Sequence, residues 1–390
     1  MANIIRCALG KIKRRAKMYV QRYYDRFPFL IKSQPKGEKR AVHISAFSYG
    51  NAGDTLLPVV LRDLFNDTIG IKQWRSVDLH VEVRKSDVRF YNKKDFVVIG
   101  GGGLFLKDTG ANDNSGWQWN CSIDNLAKIN KPIIAFAIGY NRFRGQDDFE
   151  PIFTQHFNRF VEQVKFIGIR NHGSIEKLKK YLNSDALKNK LVYQPCMTTL
   201  ISKIYPHLYN YRAKDNCVAF NCAFDRAQLR SSSDQYLHAI AKVAKSLSEK
   251  TKIRFYSHIH SDTLALKYFD EYKVDYELVE FKNVGQIVEC YSQPRLVIGM
   301  RGHAQMIPFG CGTPILSIIS HDKMQWFLDD IHHPEWGCDV LDSDFENQLM
   351  QKSHSLFDNY EQCIDDIEEA KKMLWSVTLE NMAKIKDILK

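Results

Sequence analysis

Arg301-Gly302-His303 places a permanent cation and a titratable imidazole side by side with a glycine between them. The triplet follows the apolar run Leu296 to Met300 and precedes a short helical segment that ends in Gly312-Thr313-Pro314, so the spacing predicts a strand, a sharp polar break and a helix. A guanidinium takes a carboxylate or phosphate bidentately, and a helix start adds N–H donors to the same anion. An imidazole beside them can move a proton near neutral pH. The chemistry these types suit is therefore proton transfer next to a small bound anion. A second apolar run, Ile315 to Ile319, brings His321 and Lys323 up behind the triplet. Arg170 repeats the arrangement: it ends the strand Phe166 to Ile169 and stands before a helix expected over residues 174–182, with Ser174 as its cap. Cations close to His303 should lower its pKa and favour a base over an acid.

Two glycine-bearing loops can face this site. Gly50-Asn51-Ala52-Gly53-Asp54 lies between the strand Ala41 to Phe47 and a helix expected over 55–65. Gly50 and Gly53 let a ligand approach the backbone, and Asn51 and Asp54 can cap the helix. A strand, glycine loop and helix in that order is where α/β proteins hold phosphates or sugars. The second loop, Gly100 to Gly103, follows the buried strand Phe96 to Ile99; it is not a dinucleotide fingerprint, because Phe105 stands where the third glycine of that pattern belongs. Four glycines remove every side chain, so a ligand or a packed helix must come close at Gly101, Gly102 and Gly103. Trp117 and Trp119, in the polar segment 112–120, are placed either to stack on a sugar ring or to pack. His258 and His260 are spaced to share a strand face and could pair on a metal, but no third ligand stands near them in sequence.

The elements that must position these residues alternate strand and helix, which implies parallel sheets covered by helices on both faces. At 390 residues the chain suggests two such domains. We read residues 1–40 as an N-terminal arm and linker, 41–210 as the first Rossmann-like domain, 211–355 as the second, and 356–390 as a long helix that packs back on the first.

Charge separates the arm from the body. Residues 1–40 carry twelve basic and two acidic side chains, equal to the whole net charge of +10, and the remainder has 43 of each sign. A neutral body argues against nucleic-acid binding. Residues 1–32 read as a basic amphipathic helix, suited either to an anionic membrane surface or to docking on protein. No run reaches the length of a membrane span, and the N-terminus lacks the apolar core of a secretory signal. Nine cysteines without metal-ligand spacing read as reduced, mostly buried thiols, which fits a cytoplasmic protein, peripheral on the inner membrane face if the arm binds lipid.

In this order, Gly50-Asn51-x-Gly53-Asp54, Gly100 to Phe105, Arg170 with Ser174, Arg301-Gly302-His303, Gly312-Thr313-Pro314 and Lys323 resemble the polysaccharide pyruvyltransferase family over roughly residues 41–330. The chain departs from the family pattern at Gly299-Met300, where a serine is common, and at Ser320-His321, where a tyrosine is. The resemblance implies two Rossmann-like halves facing across a cleft, like the glycosyltransferase B type. It also implies transfer of pyruvate from phosphoenolpyruvate to two hydroxyls of one sugar in a surface polysaccharide or its lipid-linked precursor. The product is a cyclic ketal, with phosphoenolpyruvate as co-substrate and no further cofactor or metal. On that reading Arg170 and Arg301 hold the donor's anionic groups and His303 is the acid for the methylene carbon or the base for a hydroxyl. Gly302 is part of the donor site and Lys323 steadies the departing phosphate. Asn51, Gly53, Asp54 and the Gly101 to Gly103 loop face the acceptor. Two other readings fit the same fold: a nucleotide-sugar glycosyltransferase, which would use the Arg301 site for a diphosphate, and a non-catalytic sugar-binding or scaffold protein. Either way the protein can be a homo-oligomer.

Overall fold

The computed structural model describes residues 37–47, 51–107, 109–224 and 234–390. Residues 1–36 and Ser48 to Gly50 lie outside that set, and with them the expectations placed on residues 1–32 and on Gly50.

Among the described residues twelve strands form two six-stranded, fully parallel sheets. The first contains β1 (Lys39–Ser45), β2 (Ile71–Asp78), β3 (Phe96–Phe105), β4 (Ile133–Tyr140), β5 (Phe166–Ile169) and β6 (Leu191–Tyr193), in the order β2-β1-β3-β4-β5-β6. The second contains β7 (Asp215–Asn221), β8 (Lys252–Ser257), β9 (Tyr276–Glu280), β10 (Pro294–Gly299), β11 (Ile315–Ile319) and β12 (Gly337–Asp339), in the order β12-β11-β10-β7-β8-β9. Their central strands are continuous apolar runs because both faces are covered by helices, as parallel sheets require; all eight residues of β4 are buried. The strand order reverses between β1 and β3 in one sheet and between β7 and β10 in the other. Doubly wound sheets bind ligands outside the carboxyl ends of the strands at such switch points. Here those ends carry Asn51 to Asp54 and Gly102 to Gly103 on one side and Arg301 to His303 on the other.

The helix Ala52–Thr68 joins the two halves. It starts three residues earlier than the pattern suggests, because the Asn51 side chain accepts from the Gly53 N–H at 3.0 Å and caps it there. Leu56, Val60, Leu64 and Phe65 on this helix share one core with Ile287, Val288, Met306 and Ile307 of the second domain. That surface is apolar and continuous, so the domains are held by packing as well as by the ion pairs described below. The final helix, Tyr360–Ile388, runs back across the first domain: Asn381 Nδ2 donates to the Tyr193 carbonyl at 2.8 Å, and the Leu389 carbonyl accepts from Lys39 at 2.6 Å. Among the described residues no helix is long and apolar enough to cross a membrane.

Candidate active site

The strand β10 ends at Gly299, and the helix His303–Gly310 starts four residues later with Gly302 at its cap. An alanine at Gly299 would place Cβ 2.6 Å from the Ala304 carbonyl oxygen, so glycine is what allows the chain to fold back this tightly. The turn sends Arg301 and His303 toward the first domain. Gly53, in the first turn of its helix, receives His303: a Cβ there would stand 2.0 Å from Nδ1. Gly139 receives Arg170 in the same way, with a Cβ 2.2 Å from Nε. The chain has cleared two side chains out of the way of two functional groups.

Asn51, Asp54, Gly102, Gly103, Arg170, Arg301, Gly302, His303 and Lys323 line one cavity of about 300 Å³ between the domains. Gly53 and Gly101 stand behind that lining, Gly53 beneath His303 and Gly101 against Leu57. The glycine run is strand rather than loop, since β3 extends through all four residues to Phe105. Gly102, at φ +111°, occupies backbone space open only to glycine, and a Cβ at Gly103 would meet Asn141 Nδ2 at 2.8 Å.

Three cations, Arg170, Arg301 and Lys323, line the same cavity as one imidazole. His303 keeps a little accessible surface toward the cavity but is otherwise enclosed, and its pKa is lowered to about 3 by burial, then by Arg170 and Lys323. It is neutral at physiological pH. Asp54 moves the opposite way, up to about 6, because burial outweighs the pull of His80, Arg301, Lys323 and Arg170. Arg170 is 6% exposed, and its Nε and Nη2 are buried without a hydrogen-bond partner among the described residues. A buried guanidinium with idle donors is a receptor for an anion. Lys323 donates to Asn141 Oδ1 at 2.6 Å. Arg301 differs: its Nε donates to both oxygens of the fully buried Asp262 at 3.1 and 2.9 Å, and its Nη2 donates to Oδ1 at 2.5 Å. That carboxylate also accepts from the His258 N–H at 3.0 Å and from Asn221 Nδ2 at 3.3 Å. Asp262 thus fixes the Arg301 fork and offsets its charge, leaving Arg170 and Lys323 as the stronger anion attractors.

Several expectations change. Ser174 does not cap the helix after Arg170. That helix runs His172–Lys179, Asn171 caps it, and Ser174 Oγ accepts instead from the Tyr140 N–H. Two of its first N–H groups are engaged, that of His172 by Asp330 and that of Ser174 by Asn171, so those two are not spare donors for a ligand. Trp117 and Trp119 are fully buried in the first domain's core, with Trp117 Nε1 donating to His156 Nδ1 at 3.0 Å, so neither stacks on a sugar. His258 is buried against the Tyr291 hydroxyl at 2.5 Å, whereas His260 opens a separate turn beyond β8. Among the described residues no cluster of three or more metal-binding side chains exists.

Sequence reasoning missed His80, Gln118, Asn141 and Phe143, which line the cavity, and Asp262 behind it; His258, read there only as a metal partner, lines the cavity too. Asn141 follows β4 directly, a position that marks a site in this architecture; His80 and Asp262 stand in no recognisable pattern.

Two doubly wound parallel domains that face each other at their switch points, across a cleft lined by cations and an imidazole, define a glycosyltransferase B-like fold. The same fold is seen in Staphylococcus aureus MnaA solved with UDP, at TM-score 0.52 and 13% identity over 85% of this chain and 91% of that one. A putative UDP-N-acetylglucosamine 2-epimerase from Listeria monocytogenes gives 0.50 and 12% over 86% and 91%. No curated protein matches the chain by sequence. The family model described as polysaccharide pyruvyl transferase matches residues 16–322. The chain belongs to that family and is a transferase.

Proposed function

We propose that the protein transfers pyruvate from phosphoenolpyruvate to two hydroxyls of one sugar, making a cyclic ketal and releasing phosphate. The observation that carries this reading is the neutral His303 enclosed by cations, with Arg170 donors left idle beside it. A donor with both a carboxylate and a phosphate needs two cationic subsites, and a hydroxyl nucleophile needs a neutral base between them.

Arg170 and Lys323 hold the anionic groups, and Arg301, fixed by Asp262, supplies an oriented third contact. His303, unprotonated, takes the proton of the first hydroxyl as its oxygen bonds to C2 of phosphoenolpyruvate. C3 gains a proton and becomes the methyl group. Phosphate then leaves C2 with the electron pair of its C–O bond, and the second hydroxyl oxygen takes its place. One hydroxyl proton is thus balanced at C3 and the other departs with phosphate or solvent. Asn51 and Asp54 face the acceptor from the first domain. The acceptor is a polysaccharide unit, lipid-linked if residues 1–32 bind a membrane surface.

The test is phosphate release from phosphoenolpyruvate with a panel of methyl hexopyranosides (glucose, galactose, mannose, N-acetylglucosamine), with the ketal methyl group read by NMR. His303→Ala should lower the rate by roughly a hundredfold or more, at the low end of acid–base contributions. A folded His303→Ala protein with near-normal turnover would remove the assignment. Stabilisation by UDP-sugars but not by phosphoenolpyruvate in a thermal-shift assay would favour a nucleotide-sugar transferase instead.

A further inference from the structure

The pair Asp78 and His80, at the carboxyl end of β2, has no part in the steps above, yet His80 lines the same cavity. The Leu79 N–H donates to the Ser45 carbonyl at 3.1 Å, which carries the β1–β2 ladder one residue past the strand and aims the next side chains at the cleft. Asp78 is 4% exposed. One of its oxygens, Oδ1, receives both the backbone N–H of His80 at 2.9 Å and the ring Nδ1 at 3.2 Å. A carboxylate on Nδ1 selects the tautomer with the proton there, which leaves a lone pair on Nε2. His80 Nε2 is buried and has no hydrogen-bond partner among the described residues.

The ring is held from the other side as well. Gly110 packs on it so closely that a Cβ would stand 2.2 Å from Cδ2, and its φ of +68° independently favours glycine. His80 and Asp54 line the same cavity. A fixed tautomer, a clamped ring and an idle basic nitrogen on a residue that lines a polar cavity form the pattern of a general base with its orienting partner.

We propose that His80 is a second general base on the acceptor side, which takes the proton of the second sugar hydroxyl as the ketal ring closes, with Asp78 as its positioning residue. The proposal rests on the reading of pyruvate transfer to two hydroxyls given above. The chemistry calls for such a group, because two hydroxyls lose protons and they reach C2 at different stages. In the closing step the second hydroxyl oxygen bonds to C2, the C2–phosphate bond breaks with its electron pair, and the hydroxyl proton moves to Nε2 and on to solvent or phosphate. His303 serves the first hydroxyl from one domain and His80 the second from the other.

The test uses the full chain with phosphoenolpyruvate and whichever methyl hexopyranoside of the panel wild type accepts. His80→Gln keeps volume and His80→Ala opens space. Both should lose roughly a hundredfold in ketal formation while the thermal shift with phosphoenolpyruvate stays that of wild type. Exogenous imidazole should restore about tenfold in His80→Ala and nothing in His80→Gln, where the space is filled. Asp78→Asn should lose activity without loss of phosphoenolpyruvate binding, and its pH–rate profile should shift. Wild-type rates in His80→Gln, or losses in both variants without imidazole rescue, would overturn the proposal and leave His80 a packing residue. A wild-type protein that releases no phosphate from phosphoenolpyruvate with any glycoside would instead overturn the reading beneath it.

Discussion

Replacing Gly53 by alanine adds a single methyl group beside His303, and the structure states what must follow. The new Cβ would stand 2.0 Å from Nδ1, 2.4 Å from Cγ and 2.9 Å from Cβ of the imidazole. Non-bonded heavy atoms settle at about 3.5 Å or more, so ring and helix must part by about 1.5 Å. Gly53 has no positive φ, and alanine is the better helix former by roughly 0.5–1 kcal/mol, so the backbone itself favours the change. The cost falls on the geometry of the imidazole. A misplacement of about 1 Å in a catalytic group can cost on the order of a hundredfold, equal to about 2.7 kcal/mol of transition-state stabilisation. We expect Gly53→Ala to lower phosphate release from phosphoenolpyruvate by roughly that factor, with a melting temperature below that of wild type, because parting buried groups costs about 1–3 kcal/mol against a smaller gain in helix propensity. Turnover within about threefold of wild type would refute the close seating of His303 on this helix, and the base role derived from it.

Arg144 joins the domains beside the cleft: Nε donates to Asp322 at 2.6 Å, and Nη1 and Nη2 donate to Asp339 at 2.9 and 2.7 Å. The same loop supplies Asn141 to Lys323, so Arg144→Ala should raise the KM for phosphoenolpyruvate about tenfold, or 1.4 kcal/mol, with a smaller change in kcat; steady-state kinetics decide. Asp54 gives a pH signature. Burial lifts its folded-state pKa from 3.8 to about 6, so the folded protein holds that proton more tightly than the unfolded chain does. The resulting stabilisation is complete below about pH 4 and is lost as pH rises through 6. Asp54→Asn, which cannot ionise, should therefore melt at a higher temperature than wild type at pH 8 and at the same temperature at pH 4; equal melting at both would contradict the raised pKa.

Much of the fold is written in local pattern. Apolar runs such as Ile133 to Tyr140 can only be buried parallel strands, and the helical segments between them dictate doubly wound sheets. The cations at strand ends, Arg170 and Arg301, were legible for the same reason: a charge directly after a buried strand must emerge at the carboxyl edge of the sheet. Helix starts were less legible. Asn171 and Ser174 are both good capping residues, and only the packing of Ser174 against the Tyr140 N–H decides between them. The tryptophans of the segment 112–120 were ambiguous because no short-range period says whether a loop ring faces water or core.

The sequence by itself determines which groups can bind an anion and move a proton: Arg170, Arg301, His303 and Lys323, placed just beyond the ends of three strands. The tertiary structure decides what each group becomes. Burial beside cations keeps the His303 imidazole neutral, and Asp262, 39 residues away, turns Arg301 from a free charge into an oriented one. His80 and Asp78 acquire the role proposed for them only because β2 ends beside a cleft that a distant domain completes. Residue type and local spacing carry chemistry, but charge balance, desolvation and mutual aim belong to neighbours that are remote along the chain.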